Sequence, residues 1–153
     1  MSPPHGELTG GCNCGAVRYR LAQGMRLPPY ACHCTDCQTR TGSAFSEHML
    51  FAERDITLEG PVKAGTMVQP SGAVSTIHGC ETCLARIYAT NDRNPGFGSL
   101  RCGTLDNSAL LEIHAHFWVA SKQPWIILPP EAKTHQTQPD TSSGWVAFLT
   151  GTD

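Results

Sequence analysis

Apolar positions along this chain recur at every second residue, in short runs, rather than at helical spacing. Val17, Tyr19 and Leu21 alternate with Ala16, Arg18 and Arg20, which predicts a half-buried strand over 16–21. One glycine and two prolines between Gln23 and Pro29 break it, and Tyr30-Ala31 then leads into a cysteine-rich segment. Residues 46–52, 55–59, 73–78, 84–90, 99–105 and 110–120 read as further strands. The last of these alternates Ile113, Ala115, Phe117 and Val119 against His114, His116 and Trp118. Gly60-Pro61 and Pro70-Ser71-Gly72 punctuate the series, and 91–98 has the Asn, Pro and Gly content of an irregular loop. Only 35–40 departs from strand alternation; its capping-type Thr35 predicts one or two helical turns, stopped at Gly42. Many short strands with frequent turn signals predict a mainly β domain with little helix.

Composition adds limits to this picture. A chain of 153 residues with 40% hydrophobic residues is of the size and apolar content of one globular unit. We divide it into an N-terminal arm over 1–9, a body over 10–128 and a C-terminal tail over 129–153. The tail turns polar through 136–143 and is expected to be poorly ordered, apart from a docking strand over 145–149. Charged residues are 16% and the net charge is -2, so the chain offers no electrostatic footprint for nucleic acid or anionic membranes. It lacks both the start of a signal peptide and any run of about 18 apolar residues, so a soluble cytoplasmic protein is expected. Oligomeric state is not legible at this level.

The chemistry lies in the cysteines. Seven of the eight fall in three clusters: Cys12 and Cys14; Cys32, Cys34 and Cys37; Cys80 and Cys83. In a reducing compartment such spacings point to metal ligands rather than disulfides. A structural zinc takes four ligands, and a C-x-C or C-x-x-C pair supplies half a site. Residues two apart on a flat strand are about 6.6 Å apart, so the backbone must bend at the first pair, where Gly10, Gly11 and Gly15 make bending easy. If the outer pairs join, Cys12, Cys14, Cys80 and Cys83 close one four-thiolate site, and Cys32, Cys34 and Cys37 remain as a site one ligand short. Other groupings strand single thiolates. A closed site is structural, whereas three thiolates leave a position for an incoming ligand. They also leave Zn²⁺ with a formal charge of -1, better suited to holding and ionising a soft thiol than to attacking with hydroxide. The plainer alternative is a second structural ion completed by His33, His78, His114 or His116. His33, between two ligands, is expected to pack or hydrogen-bond. Cys102 is expected to be a small buried apolar residue and Trp125 a core anchor.

Five segments together resemble a known family: Gly10-Gly11-Cys12-Asn13-Cys14-Gly15-Ala16-Val17-Arg18-Tyr19, Cys32-His33-Cys34-Thr35-Asp36-Cys37, Cys80-x-x-Cys83, Gly103-Thr104-Leu105-Asp106, and His116-x-Trp118 through Trp125. They are similar to the glutathione-dependent formaldehyde-activating enzymes, also called the centromere protein V family. The resemblance implies a small zinc-bearing fold of paired antiparallel sheets. It also implies a structural zinc on the outer pairs and a catalytic zinc on Cys32, Cys34 and Cys37. The implied activity is that of a carbon-sulfur lyase, which reversibly joins formaldehyde and glutathione into S-hydroxymethylglutathione. It would place Gly42, Ser43 and Phe45 near the substrate, although a packing role fits them equally. A non-catalytic zinc-stabilised binding module, or a redox or metal sensor with a conditionally filled middle site, are the competing readings. Family members usually follow the second pair with glycine, whereas this chain has Leu84, so that turn is either strained or differently shaped.

Overall fold

The computed structural model describes residues 2–152. In chain order the strands are β1 (Leu8–Gly11), β2 (Arg18–Leu21), β3 (Tyr30–Cys32), β4 (Ser46–Ala52), β5 (Ile56–Glu59), β6 (Val62–Val68), β7 (Val74–Cys80), β8 (Arg86–Asn91), β9 (Phe97–Arg101), β10 (Ala115–Phe117) and β11 (Lys133–Thr134). Two α-helices, α1 (Thr35–Thr41) and α2 (Ser142–Thr150), accompany them, so the fold is mainly β. No described helix is long and apolar enough to cross a membrane. The chain gathers into two compact units, one of residues 4–26 and 50–110, the other of 2–3, 27–49 and 111–152.

In the first unit β1, β2 and β5 form an antiparallel sheet in that order. The alternation read along β2 is real: Val17, Tyr19 and Leu21 are buried while Arg18 and Arg20 are exposed. The run β6-β7-β8-β9 forms an antiparallel meander. Strand β6 was not foreseen, because its side chains are mostly exposed and leave no two-faced pattern in the sequence. A bulge between His78 and Gly79 shifts the register of β7 against β8 just before Cys80. A side chain at Gly79 would lie 2.8 Å from the Ala85 carbonyl oxygen, so the bulge closes only around glycine.

In the second unit β3 pairs antiparallel with β4, while β10 runs parallel to β3 on one side and β11 on the other. These two ladders run parallel, whereas those of β1-β2-β5, β3-β4 and β6-β7-β8-β9 are antiparallel. They also explain why the strand expected over 110–120 shrinks to Ala115–Phe117. All three residues of β10 are buried, as in a parallel strand covered on both faces, so alternation fails there. Trp118 then takes a left-handed conformation, φ 60°, and the chain curls into a short turn over Val119–Ser121.

The docking strand expected over 145–149 is instead part of helix α2. Thr141 caps it, its Oγ1 accepting the Gly144 N–H at 3.1 Å, and Gly151 ends it with φ 71°. Trp145, Phe148 and Leu149 are spaced for one helical face. The rings of Trp145 and Phe148 lie 4.3 and 4.9 Å from that of Phe117, and Leu149 is fully buried.

Candidate metal centres

The first unit assembles Cys12, Cys14, Cys80 and Cys83. After β1 the chain reverses: Cys12 N–H donates to the Val17 carbonyl at 3.0 Å and Gly15 N–H to the Cys12 carbonyl at 3.3 Å, with Gly15 at φ 80°. This is the bend that the C-x-C spacing required. At the second pair Leu84 N–H donates to the Cys80 carbonyl at 3.0 Å and Cys83 N–H to Cys80 Sγ at 3.5 Å. Leu84 holds φ 63°, so the turn keeps the left-handed shape suited to glycine and places a leucine in it.

The sulfurs of Cys12 and Cys14 are 3.6 Å apart and those of Cys14 and Cys80 3.8 Å apart. All four lie within 4.8 Å of one another. Thiolates about 2.3 Å from a tetrahedral zinc are separated by about 3.8 Å, so the set fits that ion. Backbone amides favour the ligand form of Cys12 and Cys83, while Cys14 is raised by its neighbouring thiols. The Val17 N–H, 3.2 Å from Cys12 Sγ, pulls Cys12 down to about 6, and the amides of Cys14 and Ala85 lower Cys83. Asp106, from the Gly-Thr-Leu-Asp segment, braces this hairpin. It accepts from Arg18 Nη1 at 2.9 Å and Thr9 Oγ1 at 2.7 Å, and Arg18 holds its carboxyl down at about 2. Tyr19 Oη and Thr104 Oγ1 meet at 2.9 Å beside it.

The second unit assembles Cys32, Cys34 and Cys37, whose sulfurs also lie within 4.8 Å of one another. Cys32 ends β3. Cys34, rather than Thr35, is the N-cap of α1: its Sγ accepts the Cys37 N–H at 3.3 Å, and Gly42 closes the helix with φ 67°. Cys37 is buried and the other two are half-buried. Hydrogen bonds from Cys32 and Cys37 push Cys34 down to about 2, while Cys32 is driven up by its bonds to Cys34 and Cys37. Among the described residues, no further Cys, His, Asp or Glu joins this group, so the donor set fits a metal with three protein ligands.

The histidines weighed as completing ligands are engaged elsewhere. His33 and His116 are both buried, and His33 Nε2 meets His116 Nδ1 at 3.0 Å. Burial holds His33 down at about 4. His114 pairs with Glu112 at 3.0 Å, and the His78 ring stacks on Tyr88 at 4.3 Å. The His33 carbonyl accepts both Gln38 Nε2 and Ser121 Oγ at 2.9 Å, which fastens the β3–α1 connection. Phe45 packs near the His33 ring at 5.1 Å, and Cys102 is fully buried. Trp125 is 69% exposed, so it is no core anchor. The residue that sequence reasoning missed is His48, whose Nε2 lies 3.7 Å from Cys37 Sγ. A cavity of about 260 Å³ on the first unit, lined by Thr9, Arg18, Tyr19, Arg20, Thr57 and Glu59, contains none of the clustered cysteines.

Among the described residues no cysteine is in a disulfide, which leaves the seven clustered thiols available to metal. Residues 7–121 match the family described as glutathione-dependent formaldehyde-activating enzyme. The crystal structure of a protein from Rhodobacter sphaeroides resembles this fold with a TM-score of 0.53 at 17% identity, covering 69% of this chain and 97% of that one. No curated protein matches the chain.

Proposed function

The chain belongs to the glutathione-dependent formaldehyde-activating enzyme family, and from that premise we propose that it is a zinc-dependent carbon-sulfur lyase acting at the three-cysteine site. The observation that carries the reading is the convergence of Cys32, Cys34 and Cys37 with no further protein ligand among the described residues. Cys12, Cys14, Cys80 and Cys83 would hold a structural zinc, and the triad a catalytic one. When bound at the triad, zinc supplies an open Lewis-acidic position that favours the ionised form of a thiol.

The chain's own residues do the rest. Cys34, as the helix cap, and Cys37, buried in the first turn of α1, hold the site's geometry. Gln38 and Ser121 fix the connection between Cys32 and Cys34 through the His33 carbonyl. The substrate is a thiol adduct such as S-hydroxymethylglutathione. In the forming direction the thiol sulfur bonds to the aldehyde carbon and the thiol proton ends on the carbonyl oxygen; the reverse breaks that carbon-sulfur bond. Glutathione is the thiol the family suggests, and a reducing cytoplasm suits seven ligand cysteines kept as thiols.

The test couples zinc stoichiometry with an assay for S-hydroxymethylglutathione formation above the spontaneous rate. Two zinc ions and acceleration are expected, with a Cys34→Ala variant that stays folded, keeps one zinc and loses the acceleration. Two ions without acceleration would sink the formaldehyde assignment; unfolding of Cys34→Ala would count against an open catalytic site.

A further inference from the structure

His48 lies on β4, directly across the ladder from Tyr30 on β3. Its ring stacks on the Tyr30 ring at 5.2 Å with planes 14° apart, and the residue is 6% exposed. Strand register and stacking place Nε2 3.7 Å from Cys37 Sγ. Cys37 is the most buried sulfur of the triad, equally 6% exposed. His48 is not part of the group of donors that all meet within 4.8 Å, so it approaches the triad from outside Cys37 rather than as a fourth corner.

From this geometry we propose that His48 is a positioning residue for the triad, donating its Nε2–H to the Cys37 thiolate. A thiolate ligand only accepts, so the imidazole carries its proton on Nε2. The bond offsets part of the negative charge that three thiolates concentrate at the site, and it makes Cys37 a weaker electron donor. The inference rests on the reading of the triad as a metal site, but not on the identity of the substrate.

Cobalt(II) titration of the full chain tests it. The unaltered protein should take up two equivalents. In His48→Phe, which retains a ring to stack on Tyr30, the thiolate-to-cobalt charge-transfer band of the triad should move to lower energy and its cobalt affinity should fall about tenfold. His48→Gln, which restores an N–H near the Nε2 position, should recover most of both. Equal spectra and affinities for all three proteins, or failure of glutamine to rescue, overturn the role of His48 alone. A single equivalent in the unaltered protein overturns the metal reading and the inference with it. A second measurement needs no substitution: in the ¹¹³Cd-loaded chain the His48 Nε2–H proton should couple to triad cadmium through the Cys37 sulfur. An unprotonated Nε2, or direct cadmium–nitrogen coupling that makes His48 a ligand, overturns the assignment.

Discussion

Leu84 occupies a conformation that a leucine adopts at a cost. Its φ of 63° puts its Cβ in the crowded left-handed region, and its amide closes the turn on the Cys80 carbonyl at 3.0 Å. Substituting glycine alone would mix two effects, strain relief and loss of the side chain. Comparing Leu84→Gly with Leu84→Ala separates them, because both remove the same side chain beyond Cβ. That side chain is 75% exposed, so its loss is a small common term. The left-handed conformation costs an L-residue about 1–2 kcal/mol, which alanine retains and glycine sheds. Glycine in turn gives up about 0.5–1 kcal/mol of unfolded-chain entropy. At the midpoints of these ranges the glycine variant should be the more stable by about 0.7 kcal/mol. For a chain of this length that is about 1–4 °C in melting temperature. Urea unfolding and thermal melts in zinc-replete buffer measure the difference. Zinc affinity of the outer site should rank in the same order, since the turn that positions Cys80 and Cys83 is the one being relaxed. An alanine variant as stable as the glycine variant, or more so, would refute the claim that Leu84 stores backbone strain.

The outer site should behave as part of the fold: Cys80→Ser, or zinc removal by a chelator, should abolish cooperative unfolding by circular dichroism. A structural zinc contributes about 10 kcal/mol or more against a net stability of about 5–15 kcal/mol. Thr141→Ala deletes the cap of α2 and should lower stability by about 1 kcal/mol in urea unfolding, with zinc content unchanged. Tyr88 is raised to about 12 by burial and by Glu53. A group raised in the folded state contributes stability that is complete below its unfolded value near 10 and is lost as pH rises through about 12. Between those limits stability should fall with pH, and Tyr88→Phe should flatten that fall by no more than one proton, read from unfolding curves at stepped pH.

What was legible in the chain follows from how local each signal was. The β2 alternation depends on one buried face and on turn residues, both written in consecutive positions. Strand β10 was overdrawn because parallel neighbours bury both of its faces, which no period along its own sequence records. In α2 the apolar run 145–149 looked like a strand. Only the helical spacing of Trp145, Phe148 and Leu149, together with Thr141 as cap, distinguishes it.

The candidate centres divide in the same way. Grouping the seven cysteines needed only valence, because a four-ligand ion and clusters of two, three and two leave few ways to share them. Cys34 as a helix cap was hidden behind Thr35, a commoner capping residue; a thiol does the same work here because its lone pairs face the Cys37 amide. His48 carries no motif at all, being eleven residues from Cys37 with no fixed spacing to it. It reaches the sulfur only through the register of β3 on β4 and the stack on Tyr30, and both are properties of pairing rather than of sequence. The division has a chemical reason. Ligands must be near one another and are economically supplied by short loops, whereas the group that tempers a ligand's charge needs only to arrive from one direction. A strand on the neighbouring ladder is stiff enough to deliver it.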